Sequence, residues 1–475
     1  MEGRDPMYAE CKGINEECGV FGIWNHQKAA ELTYYGLHSM QHRGQEGAGI
    51  VVSDGRDLRS HKGLGLINDV FGEVKFDKLP GRNAIGHVRY TTAGGRTIEN
   101  VQPLLFRTQT GGSMALAQNG NILNSRLLRA ELENKGSILQ TSSDTELLAH
   151  LIRRGGQTAN RKSIAAALNQ IVGAYTFVIL KEDKMYAAVD PAGIRPLSVG
   201  KLGDAYVVAS ETCAFDQIGA VFEREALPGE LIIISDEGIE ITRFAPRDRR
   251  SMCGMEYVYL SRPDSDVNRV NVHASRKNAG KELAREAPAE ADMVIGVPDS
   301  SISAAIGYAE ESGLPYEMGI LKNRYIGRTF IQPSQELREQ GVKMKLAPVR
   351  SIVDGKKIIM IDDSIVRGTT SKRIVKMLKK AGAKEVHVRI ASPPITHPCY
   401  YGIDMSTRKD LIAANYTVDG IADVIGADSI AYLSESGLEK AIVKDKTIHQ
   451  GICMACMTGN YPVTAEETEQ IFINS

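Results

Sequence analysis

The chain has 475 residues, with 57 Lys and Arg against 58 Asp and Glu and a formal net charge of -1. That length exceeds one ordinary core and calls for two domains. The evenly mixed charge excludes a nucleic-acid-binding surface, and the apolar runs are all too short to span a bilayer. Seven cysteines, an odd number in a long charged chain, argue against a disulfide framework and for reduced thiols in the cytoplasm.

In chain order, Met1 to Glu17 carries two bases and five acids without an apolar core, so it is not a secretory signal. Cys18-Gly19-Val20-Phe21-Gly22-Ile23 sets a thiol directly before a strand. A cysteine that becomes the first residue after processing has its own α-amine beside its sulfur, and a pKa of about 8 makes that amine a usable base. Four segments follow that fit a site around such a nucleophile: His42-Arg43-Gly44-Gln45-Glu46-Gly47, Gly86 to Thr92, Gln118-Asn119-Gly120-Asn121 and Ser142-Ser143-Asp144-Thr145-Glu146. Taken singly, each has an ordinary reading: a turn, a surface base, a small buried thiol. Short strands at Tyr175–Leu180, Tyr186–Val189, Tyr206–Ala209 and Leu231–Ile234 make this half mostly antiparallel.

Past the basic patch Arg247-Asp248-Arg249-Arg250, strands alternate with helices, which predicts a parallel sheet: Met293–Val297, helix Ser303–Glu311, Ile358–Ile361 and Val386–Ile390. The boundary falls near Asp248 to Met255. Ile358-Ile359-Met360-Ile361-Asp362-Asp363 reads as a buried strand ending on two carboxylates. Arg367-Gly368-Thr369-Thr370-Ser371 then turns into a helix with Ile374, Val375 and Leu378 on one side. Backbone N–H groups at that helix start suit an anion, and the paired carboxylates suit two adjacent sugar hydroxyls. Gly296-Val297-Pro298-Asp299-Ser300-Ser301 is a second loop at a strand's carboxyl end. Tyr325 to Leu346, with Arg324, Arg328, Arg338, Lys343 and Lys345 around it, reads as a lid over a phosphate site. Cys453-Met454-Ala455-Cys456, with Cys253 and Cys399 upstream, leaves a redox pair, zinc, an iron-sulfur cluster and plain buried thiols open. Cys213 is most simply a core residue.

The Asp362-Asp363 loop closely resembles the phosphoribosyltransferase signature for phosphoribosyl pyrophosphate (PRPP). The resemblance implies that Asp362 and Asp363 hold the ribose hydroxyls, Arg367 to Ser371 the 5'-phosphate, and Ser300 with both aspartates the Mg2+. The four amino-terminal segments, in their order, resemble the class II glutamine amidotransferases, of N-terminal-nucleophile hydrolase fold. This likeness implies Cys18 as nucleophile, Asn119 and Gly120 as oxyanion donors, Arg89 and Asp144 as grips on glutamine, and Arg43 and Gly44 in the pocket. Gln118 departs from that family's His, a change expected to be tolerated. Cys18 is internal, so residues 1–17 are expected to be a propeptide. The rival Cys11 lies within it, followed by Lys12-Gly13-Ile14-Asn15 and not by a glycine-rich strand.

From Cys18 onward the chain resembles the PRPP amidotransferase family, in its clustered, propeptide-bearing branch. The expectation is an α+β glutaminase domain over 18–250 followed by an α/β phosphoribosyltransferase domain over 251–475. Glutamine, PRPP and water would give 5-phosphoribosylamine, glutamate and pyrophosphate, with ammonia passing between two sites through an enclosed passage. The resemblance further implies one [4Fe-4S] cluster per subunit on Cys253, Cys399, Cys453 and Cys456, purine nucleotide inhibitors and a homotetramer, with no nucleic-acid partner and no membrane. A PRPP-sensing regulator would need a basic DNA-binding module, and none is visible. An amidotransferase acting on another sugar phosphate would share only the first half.

Overall fold

The computed structural model describes residues 18–90, 97–108, 112–156, 158–246, 250–323, 346–403, 405, 407–443 and 450–464. The expected propeptide with Cys11, Thr91 and Thr92, the patch at 247–249, and the expected lid as far as Lys345 lie outside the described residues.

In the first half the strands are β1 (Gly19–Trp24), β2 (Gly47–Ser53), β3 (Leu58–Leu64), β4 (Asn83–Arg89), β5 (Leu104–Thr108), β6 (Gly112–Ile122), β7 (Gly173–Lys181), β8 (Met185–Val189), β9 (Ser198–Leu202), β10 (Ala205–Ala209), β11 (Val221–Glu225), β12 (Glu230–Ser235) and β13 (Gly238–Arg243). They form two antiparallel sheets, ordered β11-β9-β10-β1-β4-β2-β3 and β13-β12-β8-β7-β6-β5. Successive side chains leave opposite faces of a strand. On β1, Val20 and Trp24 therefore enter the core between the sheets with Ala115, Ala117 and Val178, while Phe21 and Ile23 pack outward on Leu37. Leu37 belongs to helix Ala29–Ser39. On β6, Leu116 turns outward to Leu148 and Ile152 of helix Thr145–Arg154. The result is helix, sheet, sheet, helix, with every central strand covered on both faces.

The second half begins with β14 (Arg250–Cys253). The later strands are β15 (Asp266–Val267), β16 (Val270–Asn271), β17 (Met293–Gly296), β18 (Ile320–Lys322), β19 (Leu346–Pro348), β20 (Lys357–Asp362), β21 (Glu385–Ile390), β22 (Ser429–Tyr432) and β23 (Gln450–Cys453). The sheet β17-β20-β21-β22 is parallel throughout. Ile358 and Met360 of β20 face Ile374, Val375 and Leu378, whereas Ile359 and Ile361 face Ala305 and Tyr308. Burial on both faces is why β20 reads as an unbroken apolar run. The carboxyl ends of β17 and β20 carry the two loops singled out in the sequence. Separately, β14 and β23 pair in parallel, with Cys253 opposite Cys453.

Candidate active sites

Cys18 directly precedes β1, which lies inside its sheet. The residue is 8% exposed, and its thiol donates to the Tyr90 carbonyl at 3.4 Å. Pairing of Gly19 with Val88 brings the end of β4, with buried Arg89, alongside Cys18. The neighbouring sheet is joined here by His87, whose Nε2 lies 2.9 Å from the Gln118 carbonyl. Burial lowers the His87 pKa to about 3, so the ring is neutral and Nε2–H is the donor.

The next residue on β6 is Asn119, on the inter-sheet side with Ala115 and Ala117. It is fully buried, and neither its Oδ1 nor its Nδ2 has a hydrogen-bond partner among the described residues. Such a group costs about 1–3 kcal/mol, which a bound carbonyl or oxyanion would offset. Gly120 has φ of +128°, and an added Cβ would lie 2.1 Å from the Ala174 carbonyl oxygen, so only glycine fits.

Asp144 precedes helix Thr145–Arg154 and is buried; its Oδ2 accepts from the Ile122 N–H at 2.9 Å and the Gln118 Nε2 at 3.2 Å. The Gln118 Oε1 in turn accepts from the Thr145 hydroxyl at 2.7 Å. Gln118, where the resembling family has His, thus braces the carboxylate. Burial raises the Asp144 pKa, the condition of an anion waiting for a cation.

Arg43 has a second set of partners. Its guanidinium contacts Glu211 through Nε and Glu256 through Nη2, and lies 3.3 Å from Glu256 Oε1 and 3.1 Å from the Ser261 hydroxyl. All three charged side chains are buried. Two buried carboxylates require a cation, and the Arg43 guanidinium serves them. Although burial penalises its charge, Arg43 and His42 hold Glu211 well below the usual carboxylate range. Gly44 lies with its backbone against Val88 and Arg89.

The second site is a cleft of ≈ 180 Å³ lined by Ser300, Asp362, Asp363 and the whole loop from Ser364 to Ser371. The Ser300 hydroxyl bonds Asp363, and the Ser301 hydroxyl reaches Asp362 Oδ1 at 3.1 Å. The Ser364 hydroxyl reaches Asp363 Oδ1 at 2.6 Å. Burial first, then the neighbouring Asp363, raises the Asp362 pKa, and burial likewise raises that of Asp363. Adjacent carboxyls held up in this way, with the Ser300, Ser301 and Ser364 hydroxyls on them, suit a hard divalent cation. Gly368, with φ of +75°, precedes helix Thr369–Lys380, whose first N–H groups face the cleft as an anion seat. Arg367 lines the same loop, its Nη2 3.9 Å from Asp410. Ser371 lines the same cleft, with its hydroxyl acting on Asp362.

Sequence reasoning missed Tyr259 and Arg276. Tyr259 lines the cleft. Arg276 donates to the Tyr257 and Ser261 carbonyls, both at 2.7 Å, and its charge acts on Asp363. The signal was its place on the apolar face of helix Val272–Glu286, with Val272, Ala279 and Leu283.

The four second-half cysteines share one region. Cys253, Cys453 and Cys456 lie in the same buried cluster, and Cys399 packs against it. Burial first, then Cys399, raises Cys456, and burial pushes Cys453 up to about 12. Thiols so disfavoured as anions fit a group that would supply positive charge. Among the described residues, no three His, Cys, Asp or Glu side chains converge as a single metal ion requires. A four-iron cubane spreads its ligands over four irons and needs no such convergence.

Residues 87–217 match the glutamine amidotransferase domain family, and residues 271–398 the phosphoribosyl transferase domain family. The chain is 61% identical over 457 residues to the amidophosphoribosyltransferase of Bacillus subtilis (strain 168), covering 96% of each. It is 54% identical over 453 residues to that of Staphylococcus aureus (strain MRSA252), covering 95% of this chain and 92% of the relative. It superimposes on the B. subtilis glutamine PRPP amidotransferase solved with ADP and GMP with a TM-score of 0.89 at 60% identity, covering 94% and 98% of the two chains. A second solved structure, of the allosteric regulatory enzyme of purine biosynthesis, gives 0.90 at 61% identity, covering 94% and 96%.

Proposed function

The chain belongs to the amidophosphoribosyltransferases, which open purine biosynthesis by converting glutamine and PRPP to phosphoribosylamine, and from that premise we propose how its own residues divide the work. Cys18 becomes the amino terminus when residues 1–17 are removed. Its α-amine then takes the thiol proton, and the sulfur attacks the glutamine side-chain amide. Asn119 Nδ2 and the Gly120 N–H receive the oxyanion. The buried, partnerless amide of Asn119 is the observation that carries this reading. Arg89 and Asp144 hold the carboxylate and amine of glutamine, and Gly44 borders the pocket. Collapse of the tetrahedral intermediate releases ammonia, and water then frees glutamate from the thioester.

In the second half, Asp362 and Asp363 receive the ribose hydroxyls, and Arg367 to Ser371 receive the 5'-phosphate. Mg2+, held by Ser300 and the two carboxylates, would neutralise the leaving pyrophosphate when bound. Ammonia attacks C1 as pyrophosphate departs, so its route from Cys18 must be closed to water. We place the domain division between residues 250 and 251.

A [4Fe-4S] cluster on Cys253, Cys399, Cys453 and Cys456 would tie the start of the second half to β23 and contribute to the fold. The shared location of the four cysteines supports it. Purine nucleotide inhibition draws support from the relative solved with ADP and GMP. A homotetramer and a cytoplasmic location complete the proposal. Among the described residues, no helix is long and apolar enough to cross a membrane.

The deciding experiment compares Cys18→Ala with the unaltered enzyme, using glutamine and then ammonia as nitrogen source. Loss of glutamine-dependent product with ammonia-dependent product retained supports two sites, and equal loss of both refutes a separate glutaminase. Amino-terminal sequencing with an iron and sulfide assay tests processing and cluster together.

A further inference from the structure

The stretch from Cys399 to Ile403 belongs to the second half but lies against the oxyanion strand of the first. Asn121 Nδ2 donates to the Tyr400 carbonyl at 2.9 Å. Gly402 has φ of +112°, and a Cβ added there would sit 3.1 Å from the Gly120 carbonyl carbon and 3.3 Å from Arg195 Nη2. Buried Arg195 fixes the same stretch by donating from Nε to the Tyr401 carbonyl at 3.0 Å. Gly120 is therefore confined from two sides, by Ala174 of its own sheet and by Gly402 of the other half.

We propose that Asn121 and Gly402 are positioning residues for glutamine hydrolysis. The 399–403 stretch acts as a buttress against the Gly120 Cα and carbonyl carbon and so holds in place the residue whose N–H meets the oxyanion. The proposal rests on reading Asn119 and Gly120 as the donor pair. One donor of this kind contributes roughly 10²–10³ in turnover, and its value depends on an aim set before the reaction begins. In the proposed function neither Asn121 nor Gly402 contacts substrate, and the grip on glutamine falls to Arg89 and Asp144. A slackened buttress should therefore lower kcat for glutamine, leave KM nearly unchanged, and spare the ammonia-dependent reaction.

The test uses the full chain with three variants. Asn121→Ala removes the bond to Tyr400, Asn121→Asp keeps the size but faces a carboxylate to that carbonyl, and Gly402→Ala presses a methyl on Gly120. Glutamine kcat should fall about 10-fold or more in each, a part of one donor's contribution, with ammonia-dependent synthesis and melting temperature retained. Asn119→Ala, measured alongside, should lose about 10²–10³ in glutamine kcat. If Asn119→Ala shows that loss while both Asn121 variants turn over glutamine normally, the buttress is refuted and the donor pair stands. If Asn119→Ala itself keeps full glutamine turnover, the donor assignment fails and the buttress with it. Equal loss with both nitrogen sources and a lowered melting temperature would make the contact merely structural, which also overturns the proposal. The two Asn121 variants decide the matter should Gly402→Ala not fold.

Discussion

Arg43 and Glu256 meet where the two halves of the chain join, with guanidinium Nη1 3.3 Å from carboxylate Oε1 and both groups shut off from solvent. Ser261 and Glu211 lie on the same guanidinium, and Arg195 Nη1 stands 3.8 Å from Glu256 Oε1. Because all of this charge is buried, it balances only as a set.

Replacing Arg43 with Met should therefore cost about 3–5 kcal/mol of stability, since it removes the cation shared by two buried carboxylates and leaves Glu211 with His42 and Glu256 with Arg195 3.8 Å away. Urea unfolding measures the loss. A cost below about 1 kcal/mol, the range of a surface pair, would show that water reaches the carboxylates.

Asp362→Asn and Asp363→Asn should each abolish synthesis from either nitrogen source and weaken PRPP binding, while some glutamine hydrolysis survives. Calorimetric titration with PRPP is the check, and unaltered affinity in both variants would contradict the assignment. The isosteric amides remove charge from two carboxyls already held up by burial, so the fold should tolerate them.

Glu225 gives a pH signature. Its carboxylate accepts from the Asn268 N–H at 3.1 Å, and burial pushes its pKa from 4.5 up to about 7. A raised folded-state pKa means that the native state binds the proton more tightly than the unfolded chain. The stabilisation is fully present below pH 4.5 and is lost as pH rises through about 7. The difference is about 3 kcal/mol across that window. Glu225→Gln should flatten this part of the stability profile between pH 5 and 8 and be the more stable form at pH 8.

Cys399→Ser and Cys456→Ser should lose bound iron and sulfide together with thermal stability. Cys213→Ser, altered in a different buried cluster, should keep its iron. Iron retained at full stoichiometry in the first two would remove those residues from the ligand set.

Local signals in the sequence revealed the catalytic loops well. The run Ile358 to Asp363 has its strand and its turn within a few residues, and β20 and helix Thr369–Lys380 lie where that pattern placed them. The strands Tyr175–Leu180 and Leu231–Ile234 each gain a residue or two at their ends. The outer helix layers were not read. Helix Ala29–Ser39 packs through Ala29, Ala30, Thr33 and Gly36, whose small side chains leave little hydrophobic pattern. The carboxylate partners of Arg43, Glu211 and Glu256, lie far along the chain and nothing local announces them. The Asn121–Tyr400 bond was invisible for the same reason. Gln118 was noted only as a departure, and its brace on Asp144 needs the helix start at Thr145 to be understood.

The pairing of β14 with β23 sets an order of assembly during synthesis. The ribosome produces the early partner long before the late one, so the nascent protein must wait with Cys253 lacking its opposite number while the parallel sheet forms. A product stalled before β23 would expose β14 as a bare edge, a template for pairing with foreign chains. Only translation carried past Cys453 supplies the strand that covers this edge of β14.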